Sequence, residues 1–403
     1  MPKKKNKKWT RFRHRVVRNI AYCILRPYVS IVYKIKIDKF KAQEKRPYLI
    51  LLNHQTPFDQ FFVGMAFKGP IYYMATEDIF SNGWISSVIR YLVAPIPIKK
   101  QTTDVRAILN CMKVAKEGGS ISIAPEGNRT YSGRTEYMSD SIVPLARKLG
   151  MPIVLYRIEG GYGAEPRWSD VVRKGKMRGY VSRVISPEEY AVMSDEELFE
   201  AIRTELYVNE AVVDTAFKHK KLAEYLERAI YVCPECGLST FESHNDIIKC
   251  KKCGLAARYL PTKELEGVGA ELPFRFVADW YDYQSDFINS LDVTELCDEP
   301  IYREHAEFRE VIPYDRKNLI ADKAELRLYG DRVEVDLPME TLSFDFESTN
   351  LTVLGRNKLN IYYKDKIYQV KGDKRFNALK YVHLSHRYQN IRKGLEDVKF
   401  LGL

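Results

Sequence analysis

Between residues 46 and 185 the short apolar runs YLILLN, IYYMAT, APIPIK, SISIAP and PIVLYRI alternate with helical stretches such as DVRAILNCMKVAKEGG. Runs this short and this continuously apolar suit strands buried on both faces, and strands that alternate with helices specify an α/β domain. With 403 residues, 45% of them hydrophobic, the chain is long enough for two or three domains with their own cores.

The pattern then changes. Segment 186–230 reads as helical and charged, and SDEELFEAIRTEL opens with a capping box at Ser194 and Glu197. Four of the seven cysteines follow, as two C-x-x-C pairs, Cys233 with Cys236 and Cys250 with Cys253, separated by thirteen residues. Gly237 and Gly254 stand directly behind the pairs, as in the knuckles of a zinc ribbon. The spacing predicts a structural Zn²⁺ held by four thiolates, with two reducible disulfides or unpaired thiols as the alternatives. Four thiolates leave no open coordination position, so such a zinc organises a fold and does no chemistry. Cys23, Cys111 and Cys297 are scattered, which fits a reducing cytosol better than a disulfide scaffold.

A linker containing Gly, Pro and aromatic residues is expected over 259–300. Beyond it, AELRLYGDRVEVDL, TLSFDFES, NLTVLG and KLNIYYKDKIYQVKG alternate apolar and polar residues and are punctuated by turns. A helical stretch, RFNALKYVHLSHRYQNIRKG, closes the chain. Meandering strands followed by one helix resemble a pleckstrin-homology-like barrel. The expected organisation is therefore a basic amphipathic segment at 1–39, an α/β domain at 40–230, a zinc ribbon at 231–258, the linker at 259–300 and a β-rich domain at 301–403.

The formal net charge is +11, and MPKKKNKKWTRFRHRVVR alone carries nine Lys or Arg and no acid. An anionic partner is implied, either phospholipid headgroups or nucleic acid. In the following VVRNIAYCILRPYVSIVYKIKI the apolar residues are interrupted by Arg18, Arg26 and Lys34, so no run reaches the length of a membrane span. A basic arm joined to an amphipathic aromatic segment fits a helix lying in the membrane interface, and nothing in it suggests a cleaved signal peptide. Nucleic acid is the weaker partner, because the charge lies mostly outside the ribbon, which lacks interleaved aromatic and basic residues.

The chemistry concentrates where LLNHQTPFDQFF ends its apolar run: His54 follows a strand, and Asp59 follows five residues later. Thr56, Pro57 and Asp59 have the signature of a helix start. On one regular helix the two side chains would point about 140° apart, but a turn before Pro57 removes that objection. From these residues alone, Asp59 can be a cap and His54 an incidental loop residue, or the two can form a hydrogen-bonded pair.

A second apolar run ends in SISIAPEGNRTYSGR. Together the blocks HQTPFD and EGNRT resemble the 1-acylglycerol-3-phosphate acyltransferases of glycerolipid synthesis, over about residues 40–220. The resemblance gives His54 the role of general base and Asp59 that of orienting it. It gives Arg129 contact with the acceptor's phosphate, places Glu126, Gly127 and Thr130 in the same substrate-binding block, and carries over Pro152 in MPIV. One block departs: IPIKK puts Lys99 and Lys100 where the family has an aspartate and an arginine, supplying charge without a bidentate fork. Glu126 can instead brace its loop, Arg129 can pair with Glu126, and the two lysines can be solvated strand ends.

The resemblance implies a glycerolipid acyltransferase fold, a mixed sheet flanked by helices. It implies transfer of a fatty acyl group from acyl-CoA or acyl-carrier protein to lysophosphatidic acid or another lysolipid. It further implies a cytoplasmic enzyme on the inner face of a bacterial membrane. A nucleic-acid-binding ribbon protein is the reading from a different class.

Overall fold

The structure, a computed structural model, describes residues 8–41, 47–98, 104–212, 214–395 and 398–402. Two compact units divide the chain: one comprises residues 1–130, 134–164 and 174–210, the other residues 131–133, 165–173 and 211–403.

In the first unit helix α1 (Phe12–Val32) leads to strands β1 (Ile35–Ile37) and β2 (Leu49–Leu52). There follow α2 (Asp59–Ala66), β3 (Ile71–Thr76), α3 (Trp84–Leu92), β4 (Ile96–Ile98), α4 (Val105–Lys116) and β5 (Ser120–Ile123). Then come α5 (Ile142–Leu149), β6 (Ile153–Glu159), the single turn α6 (Gly161–Ala164), β7 (Met177–Ile185), α7 (Pro187–Ala191) and α8 (Asp195–Leu206). The sheet order is β1-β7-β6-β2-β5-β3-β4. Strands β6, β2, β5, β3 and β4 run parallel, whereas β7 opposes β6. This is the expected mixed sheet, and every residue of β2 is buried.

Local capping chemistry fixes the helix starts. The Asp104 carboxylate accepts the Ala107 N–H at 3.1 Å to begin α4, and the Ser194–Glu197 box closes reciprocally at α8. Helix α2 begins at Asp59 rather than at Pro57: residues 56–58 form a turn, closed by the Phe58 N–H donating to Thr56 Oγ1 at 3.1 Å.

The second unit opens with the short strands β8 (Val232–Cys233) and β9 (Gly237–Leu238), then the sheet of β10 (Phe241–His244), β11 (Ile247–Cys250), β12 (Ala256–Tyr259) and β13 (Leu265–Val268). Helix α9 (Val277–Ser290) follows, then β14 (Tyr302–Val311), β15 (Lys317–Leu328), β16 (Arg332–Asp336), β17 (Thr341–Asp345), β18 (Thr349–Leu354), β19 (Lys358–Tyr363), β20 (Lys366–Gly372) and α10 (Leu379–Arg392). The last seven strands form one antiparallel sheet in the order β17-β16-β15-β14-β20-β19-β18. A four-strand and a three-strand meander thus join where the first strand meets the last, and α10 packs on β18: the expected β-rich domain of meandering strands and one helix, as a half-barrel.

Segment 259–300 is not a linker. It supplies β13 and α9, whose Trp280 indole N–H donates to Val232 O at 2.8 Å. The Gln284 carbonyl oxygen accepts the Tyr231 N–H at 2.7 Å and the Val232 N–H at 3.2 Å. One buried apolar cluster runs from Leu222 through Cys233, Cys250, Trp280 and Phe308 to Leu401, so the ribbon, α9 and the barrel share a core. Residues 211–230 belong with them rather than with the α/β unit. The physical reason is that two metal knuckles and a few short strands bury too little apolar surface to stand alone.

Candidate active site and zinc site

The C-terminal ends of β2, β5 and β6 lie side by side, the place where open α/β sheets hold their ligands. His54 follows β2 by two residues. Asn53 fixes the strand end by side-chain bonds to β6: its amide donates to Ile158 O at 2.8 Å and its carbonyl accepts the Ile158 N–H at 2.7 Å. Gly161 is needed opposite this turn, because a Cβ there would lie 2.5 Å from the Gln55 Cβ.

Asp59 is fully buried, and its Oδ2 lies 2.8 Å from His54 Nδ1. The same carboxylate accepts the Gln55 N–H at 2.6 Å, the Thr56 N–H at 3.0 Å and the Thr56 hydroxyl at 2.7 Å. Four donors converge on it, and it stands at the positive end of α2, so its orientation is fixed. A carboxylate accepting at Nδ1 puts the imidazole proton there and leaves Nε2 with its lone pair. The His54 side chain is 19% exposed, so that nitrogen belongs to a group solvent can still reach. Thus the turn before α2 brings together the pair that helical spacing would have kept apart.

Glu126 lies in the loop after β5, buried, with Oε1 accepting the His54 main-chain N–H at 3.0 Å. Of the roles open to it, bracing the turn at His54 is the one this bond provides. Gly127 beside it is exposed with φ +70°, Arg129 is half-buried, and Thr130 is buried with its hydroxyl toward Glu136 at 3.4 Å. Lys99 and Lys100 lie outside the described residues. Neither Asn53 nor Gly161 was singled out from sequence; a polar residue immediately before the histidine was the available sign of Asn53.

Burial, and then the neighbouring charges of Asp59 and Glu136, push the Glu126 carboxyl well above the usual carboxylate range, against the lowering effect of the His54 N–H. A raised native pKa means the folded chain binds the extra proton. Its contribution is therefore complete below the usual carboxylate range and is lost as pH rises through the elevated value. Melting curves against pH should show this fall for the wild type and a flatter profile for Glu126→Gln; equal slopes would refute it.

In the second unit the sulfurs of Cys233, Cys236, Cys250 and Cys253 lie within 4.8 Å of one another. Cys233 and Cys253 approach to 3.5 Å and Cys236 and Cys250 to 3.6 Å, close to the edge of about 3.8 Å in a tetrahedron with Zn–S bonds of about 2.3 Å. Gly237 and Gly254 take φ of +70° and +84°, which the knuckles require, and Ser239 Oγ lies 3.1 Å from the Cys250 sulfur. The donor set fits a structural zinc.

Residues 34–158 match the family model described as Acyltransferase. The 1-acyl-sn-glycerol-3-phosphate acyltransferase of Bacillus subtilis is 25% identical over 132 residues, 33% of this chain and 63% of that protein. The chloroplastic enzymes of that name from Arabidopsis thaliana and Brassica napus are 24% identical over 195 residues and 25% identical over 157 residues. The match spans 52% and 44% of those two proteins, so the chain covers 44% to 63% of the length of these curated relatives. Among solved structures, the 1-acyl-sn-glycerophosphate (LPA) acyltransferase of Thermotoga maritima aligns with a TM-score of 0.40 at 21% identity, covering 48% of this chain and 78% of that one. Residues 34–158 thus match an acyltransferase domain, and over that part the chain is similar to the 1-acyl-sn-glycerol-3-phosphate acyltransferases.

Proposed function

We propose that the chain transfers a fatty acyl group from an acyl thioester, acyl-CoA or acyl-carrier protein, to the free hydroxyl of lysophosphatidic acid, giving phosphatidic acid. The observation that carries this reading is the 2.8 Å His54–Asp59 bond at the carboxyl ends of the parallel strands. His54 Nε2 takes the proton of the attacking hydroxyl while Asp59 stabilises the imidazolium. The hydroxyl oxygen bonds to the thioester carbon, the C–S bond breaks, and the departing thiolate is protonated from His54. No enzyme nucleophile is required, because the lipid hydroxyl stands where a serine stands in a triad.

Arg129 binds the acceptor's phosphomonoester, with Gly127 and Thr130 shaping the same loop and Lys99 and Lys100 adding attraction for the anion. The segment 1–39 holds the protein on an anionic membrane surface, from the cytoplasmic side. Among the described residues no helix is long and apolar enough to cross a membrane. Zinc holds the second unit together and takes no part in the transfer.

The test is acyl transfer from labelled acyl-CoA and acyl-carrier-protein thioesters to a panel of lysolipids. Phosphatidic acid formed from lysophosphatidic acid supports the reading. A preference for another lysolipid would keep the mechanism and change the acceptor, and no product from folded, zinc-loaded protein would end it. Arg129→Ala should raise the KM for lysophosphatidic acid by about tenfold or more, the loss of a charge-assisted bond of about 1.5–3 kcal/mol. An unchanged KM would remove Arg129 from the phosphate site.

A further inference from the structure

Helix α3 turns its apolar side to solvent. Trp84, Ile85, Val88, Tyr91 and Leu92 follow helical spacing and are all exposed, Trp84 at 76% and Tyr91 at 59%, while the buried residue of the helix is Ser86. A helix of a globular domain ordinarily does the reverse. Helix α1 has the same inversion: Phe12, Val16, Ile20, Ile24, Tyr28 and Ile31 are exposed. Its inward side is held by His14 Nδ1 against the Tyr72 hydroxyl at 3.0 Å, by Arg18 donating to Gly64 O at 2.9 Å, and by the Tyr33 ring against Phe58 and Phe62.

The two helices are fastened together. The Trp9 indole N–H donates to Ala94 O at 2.9 Å, and Arg13 Nε donates to Tyr91 O at 2.8 Å with its guanidinium 3.9 Å above the Tyr91 ring. Their outward apolar residues therefore form neighbouring parts of one face, larger than the α1 stripe that the sequence reveals. Neither helix contains an acid, and both carry arginines, Arg15 and Arg26 on α1 and Arg90 on α3 being exposed. Two copies meeting through this face would oppose like charges, whereas anionic headgroups complement them. The face also leads to the chemistry: the Tyr28 ring lies 5.8 Å from that of Phe58, in the turn between His54 and Asp59, and Phe58 lies 5.5 Å from the exposed Phe61.

We propose that α3 joins α1 in a single face that seats on an anionic lipid surface, with the His54–Asp59 turn at its margin. Seating by α3 stands on the exposed residues alone. Delivery of the acceptor to His54 directly from the lipid layer rests on the acyltransferase reading.

The experiment uses the full chain with vesicles of phosphatidylglycerol and phosphatidylcholine, and with phosphatidylcholine alone, in sedimentation. The variant Ile85→Glu/Val88→Glu changes two exposed positions. Wild type should bind the anionic vesicles, and the variant at least about tenfold more weakly, since both side chains lose their apolar burial in the lipid. The blue shift of tryptophan emission on vesicle addition should largely disappear in Trp84→Phe. Equal binding by wild type and variant overturns the proposal, as does a dimer in light scattering that the variant dissolves while vesicle binding persists. A His54→Ala protein, slowed in acyl transfer, should bind vesicles like wild type, so docking is scored independently of catalysis. If wild type proves inactive on every lysolipid yet binds through α3, seating stands and the acyltransferase reading falls.

Discussion

Replacing His54 by alanine should leave a folded protein whose acyl transfer is about 10²–10⁴-fold slower, the usual contribution of a positioned general base. The fold should survive because the turn does not depend on the imidazole. Asp59 keeps the Gln55 and Thr56 N–H donors and the Thr56 hydroxyl, and Glu126 still accepts the main-chain N–H of residue 54. The loss should fall on kcat at saturating acceptor, because the proton transfer exists only in the transition state. Asp59→Asn is expected to fare no better: its amide nitrogen would meet donors now facing a carboxylate oxygen, leaving the imidazole tautomer unfixed. Circular dichroism and melting curves establish folding, and single-turnover rates with lysophosphatidic acid establish chemistry. Turnover within about threefold of wild type in folded His54→Ala would remove His54 from the mechanism.

What could be read from the sequence follows from how local the determining interactions are. The run IYYMAT is β3 from end to end, and LILL, buried throughout, is β2, because short strands of continuous apolar character announce themselves. The Ser194–Glu197 box closes within a few residues and is legible outright; the His54–Asp59 pair closes as locally, but the residues alone leave a simple cap equally open, and only the resemblance singles the pair out. Strand β7 was not singled out: Arg178, Gly179 and Arg183 interrupt its pattern, and its pairing with β6 is non-local. Gly179 has a tertiary cause, since a Cβ there would stand 2.3 Å from the Tyr156 hydroxyl. The bond between Glu126 and His54 spans 72 residues and that between Asn53 and Ile158 spans 105, distances at which a single sequence carries no signal.

Helix α9 illustrates another limit. Its VADWYDYQSDFINS is rich in aromatic and polar residues and reads as a connection, yet Trp280 and Gln284 spend their polar atoms on the main chain around Val232. Those partners lie immediately before the first cysteine knuckle, far from α9 in the sequence. The helix and the ribbon therefore have to be understood as one folding unit, which sets up the second large effect.

Removing zinc should unfold much more than the ribbon. Cys233 and Cys250 sit within the same apolar cluster as Trp280, Phe308 and Leu401. Without the metal, up to four thiolates are left to repel one another or take up protons, those of Cys233 and Cys250 in a buried place. Zinc binding to four-ligand sites supplies about 10–16 kcal/mol in isolated peptides, comparable to or larger than the whole stability of an ordinary domain, about 5–15 kcal/mol. Treatment with a strong chelator, or Cys250→Ser, should therefore raise hydrogen exchange in β8, α9 and the strands of the C-terminal sheet together. The purified protein should carry one zinc per chain by elemental analysis. Trp280 provides an optical probe, since its indole N–H bonds Val232 O immediately before Cys233. Loss of that contact should shift its emission to longer wavelength as metal leaves, and restoring zinc should reverse the shift. Exchange confined to residues 231–258 after chelation would show that the barrel and α9 hold their core without the metal. Unchanged exchange throughout, with four unreactive cysteines and no zinc, would instead favour disulfides at the two knuckles.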